Sequence, residues 1–205
     1  MQYNTTDKSG FEAAKNAAKE ADVVVMVLGE HGFSSGEARS RTNLDLPGLQ
    51  QEFLEEIYKV NPNIVLVLNN GRPLTISWAA EKIPTIVEAW QLGTETGNAV
   101  AQVLYGDYNP SGKLPMSFPR NIGQVPIAYN HYSTGRFTNK DNNVFWSHYS
   151  DVEKTPLYPF GYGLSYTTFE YSNLKINKKT FSKGEKVEVS VDLKNTGKVT
   201  GKEVA

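Results

Sequence analysis

The 205-residue sequence has no cysteine, which excludes disulfides, thiolate nucleophiles and cysteine-ligated zinc and leaves the redox compartment undetermined. It has no long hydrophobic run. The longest, Val23 to Leu28, is far short of the roughly 20 apolar residues that span a bilayer, so no membrane partner is expected. Positive charge is not in surplus either: 21 Lys and Arg face 22 Asp and Glu. That balance gives little to hold a phosphate backbone, and no nucleic-acid partner is expected. The opening residues MQYNTTDKSG lack the basic stretch and apolar core of a secretory signal. Histidine is scarce. His31, His131 and His148 fall in separate regions with no H-x-x-x-H pair, so no metal and no cofactor is expected.

What is present begins with alternating α and β patterns. The length allows one domain, or one and a part. Residues 9–21 read as an Ala-rich helix with Ser9 at its N-cap. Val23 to Leu28 follows without alternation, as in a strand covered on both faces of a parallel sheet. Pro47 opens a second helix with Phe53, Leu54, Ile57 and Tyr58 as its apolar stripe. Strand-like runs at Ile64–Leu68 and Thr85–Ala89 alternate with helices near 77–82 and 95–105. The order indicates an α/β fold with its sheet packed between helices.

After Asp107 the pattern changes. Residues 107–160 are rich in Pro, Asn, Ser and aromatics, without a sustained period. Val187, Val189, Val191 and Leu193 then alternate with polar residues, as in a half-buried antiparallel strand. An all-β domain is expected to begin near 164, with about 40 residues against the roughly 100 of a sandwich. Three strands that begin at a helix would leave an open sheet edge. Both ends read as cut.

In open α/β sheets, ligands bind beyond the carboxyl ends of the strands. The candidate segments are therefore 29–42, 69–73 and 90–95. Their carboxylates, amides, arginines and indole suit a polyhydroxylated ligand. The first is the long one, about 18 residues from Gly29 to Leu46, and connections of that length are often functional. Glu37 lies in its middle, between Gly36 and Ala38 with Arg39 and Arg41 nearby, where a carboxylic acid could protonate a leaving group. A solvated carboxylate paired with an arginine is the plainer reading. Glu30 and His31, directly after the strand, are the competing pair, and local pattern does not separate Glu30 from Glu37.

Other patterns carry less. Gly106 to Leu114 imitates a phosphate loop, but five residues rather than four separate its glycines and Leu114 follows the lysine. It reads as a turn leading into an extended segment. Asn4-Thr5-Thr6 fits a glycosylation acceptor. The aromatics in 145–149 read as anchors for an irregular segment or as a sugar-site lining.

Four stretches taken together, GEARSRTNLDLPGLQ (36–50), VLVLNNGRPL (65–74), EAWQLGTETGNAVAQVLYGDYNPSGKLPMSFP (88–119) and LYPFGYGLSYTTFEY (157–171), resemble family 3 of the glycoside hydrolases, the β-glucosidase and β-xylosidase group. The resemblance implies part of a three-layer α/β sandwich with a mostly parallel sheet over residues 1–163. The start of an all-β, immunoglobulin-like (fibronectin type III-like) domain would occupy 164–205. It also implies a partner outside this sequence, an N-terminal (β/α)8 barrel that carries the nucleophilic Asp and most of the sugar pocket. Glu37 then resembles the acid/base, with Glu30, His31, Arg39 and Arg41 as substrate-binding or loop-orienting residues. The implied activity is that of a retaining exo-β-glycosidase acting on an oligosaccharide or glycoside, in the periplasm or outside the cell. The alternative is a non-catalytic carbohydrate-binding or assembly module of the same fold.

Overall fold

The computed structural model describes residues 6–132 and 148–205. The Asn4-Thr5-Thr6 triplet therefore falls partly outside the described residues, as does most of the aromatic stretch at 145–149. The chain divides into two compact units, one of Met1–Thr96 with Leu114–Gly161 and one of Gly97–Lys113 with Tyr162–Ala205.

The first unit contains α1 (Phe11–Glu20), β1 (Val24–Gly29), α2 (Gln50–Val60), β2 (Ile64–Asn69), α3 (Ser77–Lys82) and β3 (Thr85–Glu88). The strands run parallel in the order β1-β2-β3. Gly29 is in register with Asn69, and Leu68 with Glu88. The carboxyl ends of the three strands therefore lie side by side, as in any parallel sheet whose strands are joined by helical crossovers. The N-cap of α1 is Gly10 and no side chain caps the helix, so Ser9 does not; the Ser9 N–H instead donates to Asp7 Oδ1.

Leu54 and Ile57 of α2 pack with Leu66 and Leu68 of β2, Met26 of β1, and Leu74, Ile76, Ala79, Ile83 and Phe118 in one buried cluster. Each Leu or Ile buried this way contributes about 1.5–3 kcal/mol. Phe118 closes the cluster through a backbone bridge to Tyr158 and an edge-on contact with Trp90.

The expected two-sided burial of β1 is not met. Met26 is buried, but Val25 and Val27 are 49% and 62% exposed. Helix α2 packs on β1's other face, with α1 against α2, and the side carrying the odd-numbered valines is exposed. The unalternating run thus marks two apolar faces, one buried and one exposed among the described residues.

The second unit holds α4 (Thr96–Leu104), apart from its first residue, and an antiparallel pair, β4 (Phe169–Ile176) and β5 (Val189–Asn195). The strand read from alternation is present. Its apolar side is not half-buried, because Val189, Val191 and Leu193 are all exposed. A two-stranded ribbon has no opposing layer on which to bury that side. The turn that imitates a phosphate loop serves packing in this unit. Asn109 Oδ1 accepts from Ser165 Oγ and Tyr166 N–H, each at 2.8 Å. Lys113 Nζ donates to the Gly163 carbonyl at 2.9 Å.

Candidate active site

The site is built on the carboxyl edge of the parallel sheet. At Gly29 the backbone has φ of +128°, and a Cβ there would meet the Asn69 carbonyl oxygen at 2.2 Å. Only glycine lets β1 lie this close to β2 at its exit. The exit is tied again by Gln50, whose side chain accepts from Gly29 N–H at 2.7 Å and donates to Gly29 O at 2.8 Å.

Glu30 follows directly and turns inward, its side chain fully buried. Arg41 Nη1 lies 2.7 Å from Oε1. Arg72 Nε lies 3.0 Å from Oε1 and 3.2 Å from Oε2. The Gly71 N–H donates to Oε2 at 3.1 Å. A buried carboxylate is tolerated only with such pairing. The two guanidiniums reach onward: Arg41 Nη2 donates to the Asp45 carbonyl at 3.0 Å. Arg72 Nη2 donates to the carbonyls of Ser34 (2.7 Å) and Arg39 (3.2 Å). Glu30 and its two arginines therefore fasten the loop at both sides of its middle.

That middle is a turn. The Arg39 N–H donates to Gly36 O at 3.2 Å. Among the four residues, φ is +57° at Ala38 and +131° at Gly36. A positive φ at the third residue, with none at the second, is the type II pattern. Glu37 occupies the second position, at the corner, and is exposed. Among the described residues no side chain bonds its carboxylate.

Of the residues singled out from sequence, the structure brings Glu30 and Arg41 together and leaves Glu37 and Arg39 at the surface. Glu30, expected from sequence as a substrate-binding residue, is engaged within the chain. Its oxygens are already held by Arg41, Arg72 and the Gly71 amide, and none of its side chain is open to solvent. Arg41 is drawn into the same ion pair. The Arg39 side chain is exposed, and only its backbone fastens the loop. His31 caps the short turn Gly32–Ser34, its Nδ1 accepting from Phe33 N–H at 3.2 Å while its ring stacks on Phe33.

Three residues carry more of the arrangement than their sequence pattern signals. Arg72 lies in a candidate segment, but only the fold brings it to Glu30. Asn70 is fully buried, with Nδ2 donating to the Arg72 carbonyl at 2.8 Å. Glu88, at the end of β3, accepts from Trp90 N–H at 3.0 Å and from Asn70 Nδ2 at 3.4 Å. Burial pushes its carboxyl up to about 7, against the lowering effect of those two donors. Among the described residues no three His, Cys, Asp or Glu side chains are grouped as a metal ion would need. No helix among them is long and apolar enough to cross a membrane.

Comparison with known proteins matches residues 1–166 to the glycosyl hydrolase family 3 C-terminal domain. The chain belongs to glycosyl hydrolase family 3. Among its family 3 relatives, the periplasmic β-glucosidase of Salmonella typhimurium is 48% identical over 93% of this chain and 25% of its own length. A β-xylosidase of Formosa agariphila is 47% identical over 96% of this chain and 26% of its own. The family 3 fold is matched by the crystal structure of a β-glucosidase from Listeria innocua in complex with glucose. The TM-score is 0.90 at 39% identity, covering 98% of this chain and 28% of that one. The chain thus spans about a quarter of the length of the curated relatives it matches.

Proposed function

We propose that this chain is the part of a retaining exo-β-glycosidase that supplies the general acid/base, Glu37. The nucleophilic Asp and the glycone pocket would stand on a (β/α)8 barrel of the same enzyme. The substrate would be a glycoside or oligosaccharide with a terminal, non-reducing β-linked sugar. Residues 1–163 would be the family's C-terminal α/β domain, and 164–205 the start of the fibronectin type III-like module.

One observation carries this reading: of the two glutamates in the long loop, Glu30 is sealed beneath it and Glu37 stands at an exposed corner. A retaining glycosidase needs two carboxyl groups roughly 5–5.5 Å apart across the anomeric carbon. A domain that presents one of them on a fastened loop can meet a pocket that holds the other. In the first step the Glu37 carboxyl donates its proton to the glycosidic oxygen while the Asp attacks the anomeric carbon and the aglycone leaves. In the second, the Glu37 carboxylate takes a proton from water, which displaces the Asp. His31 and Arg39, on the same loop, would meet the sugar or aglycone. Glu30 and Arg41 belong to the framework beneath.

The test is the Glu37→Gly variant of the complete enzyme with azide added. The reading expects an activated aryl β-glycoside to be turned over faster with azide and to yield the β-glycosyl azide. A wild-type kcat without azide, which would mean that hydrolysis of the glycosyl-enzyme needs no base at position 37, would remove Glu37 from the reaction.

A further inference from the structure

Resting on the assignment of Glu37, we propose that Asn70 is a positioning residue for that acid/base, acting through Arg72 and held from behind by Glu88. The contacts form a continuous line from β3 to the loop. Trp90 N–H fixes one oxygen of Glu88 at 3.0 Å, and the other accepts from Asn70 Nδ2 at 3.4 Å. The same Nδ2 donates to the Arg72 carbonyl at 2.8 Å. The Arg72 guanidinium then bonds the Ser34 and Arg39 carbonyls, which bracket Glu37.

Two further features mark the line as specific. Asn70 Oδ1 is buried and has no hydrogen-bond partner among the described residues. An unpaired buried oxygen costs stability, and an apolar side chain of similar volume would avoid that cost. What the amide gains is the bond that fixes the 70–72 backbone. That backbone is also packed tightly under the loop, since a Cβ on Gly71 would meet Ser35 Oγ at 2.2 Å. A shift at 70–72 therefore moves both Ser35 and the guanidinium that spans the loop. An error of about 1 Å in a catalytic group can cost on the order of 100-fold.

Asn70→Ala in the complete enzyme tests this, assayed on aryl β-glycosides with good and poor leaving groups, alone and combined with Glu37→Gln. The proposal expects kcat/KM on the poor leaving group to fall roughly 10- to 100-fold. The good leaving group should stay within about twofold, since it needs no proton. In the Glu37→Gln background Asn70→Ala should add no further loss, because a residue that acts only through Glu37 has nothing left to position. Glu88→Gln keeps the shape but turns an amide donor toward Asn70 Nδ2 or toward Trp90 N–H. It should show the same pattern more weakly, and it serves if Asn70→Ala does not fold. Equal loss on both substrates, or full additivity with Glu37→Gln, would overturn the proposal and leave Glu37 standing. If Glu37→Gln itself shows no leaving-group dependence, the acid/base assignment fails first and this inference with it.

Discussion

Glu30 and Arg41 form a 2.7 Å ion pair that closes the loop whose corner carries Glu37. The two glutamates are seven positions apart and have opposite fates. One is walled in by two guanidiniums and an amide; the other has no side-chain partner among the described residues. The strand exit at Gly29 and the turn at Gly36–Arg39 produce this division.

The first consequence concerns stability. Glu30→Gln removes the charge that both Arg41 and Arg72 face, with those side chains only 22% and 19% exposed. Breaking a buried pair by removing one partner typically costs about 3–5 kcal/mol. Urea denaturation should show a fall of that order for Glu30→Gln. The exposed Glu37→Gln should stay within about 0.5 kcal/mol of wild type.

The turn makes a second prediction of opposite signs at one position. Ala38 has φ of +57°, which costs an L-residue roughly 1–2 kcal/mol and a β-branched residue more. Ala38→Gly should leave stability unchanged or raise it by up to about 1 kcal/mol, and should keep activity. Ala38→Val should lower the melting temperature, and it should slow substrates with poor leaving groups by disturbing the corner.

Glu88 predicts a pH dependence. Its folded value, about 7, lies above the ordinary glutamate value of about 4.3. Between these the folded chain binds more protons than the unfolded one, so stability falls as pH rises through the window and levels off above about 7. The full change is on the order of 3 kcal/mol. Denaturation midpoints measured from pH 4.5 to 7.5 should slope downward for wild type, and Glu88→Gln should flatten this part of the curve. An unchanged slope in the variant would assign the dependence elsewhere.

A fourth expectation follows from dividing the active site between domains. The purified 205-residue chain should not turn over an aryl β-glucoside, because the nucleophile it would serve lies on the proposed barrel. Activity retained by this chain alone would contradict the division.

Much of this architecture is legible in the residues. Val23–Leu28 and Ile64–Leu68 read as strands because unbroken β-branched and aliphatic runs bounded by Asn and Gly have few other uses. The alternation at Val187–Leu193 signals β5 equally well. Burial is less legible: an apolar run does not state how many of its faces are covered, as Val25 and Val27 show. The loop is identifiable by its length and its lack of period. The roles within it are not, because separating Glu30 from Glu37 depends on Arg72, 42 residues further on. Asn70 lies in a candidate segment and Glu88 just outside one, but neither shows its role locally, since their contact comes from the register of two parallel strands.

The most direct measurement is the dependence of kcat/KM on leaving-group acidity for Glu37→Gln in the complete enzyme. If Glu37 protonates the departing oxygen, a nitrophenolate-type leaving group should be released at close to the wild-type rate, while an alkyl or sugar aglycone should slow by about 100- to 10,000-fold. An equal effect on every aglycone, or none on any, would contradict the account.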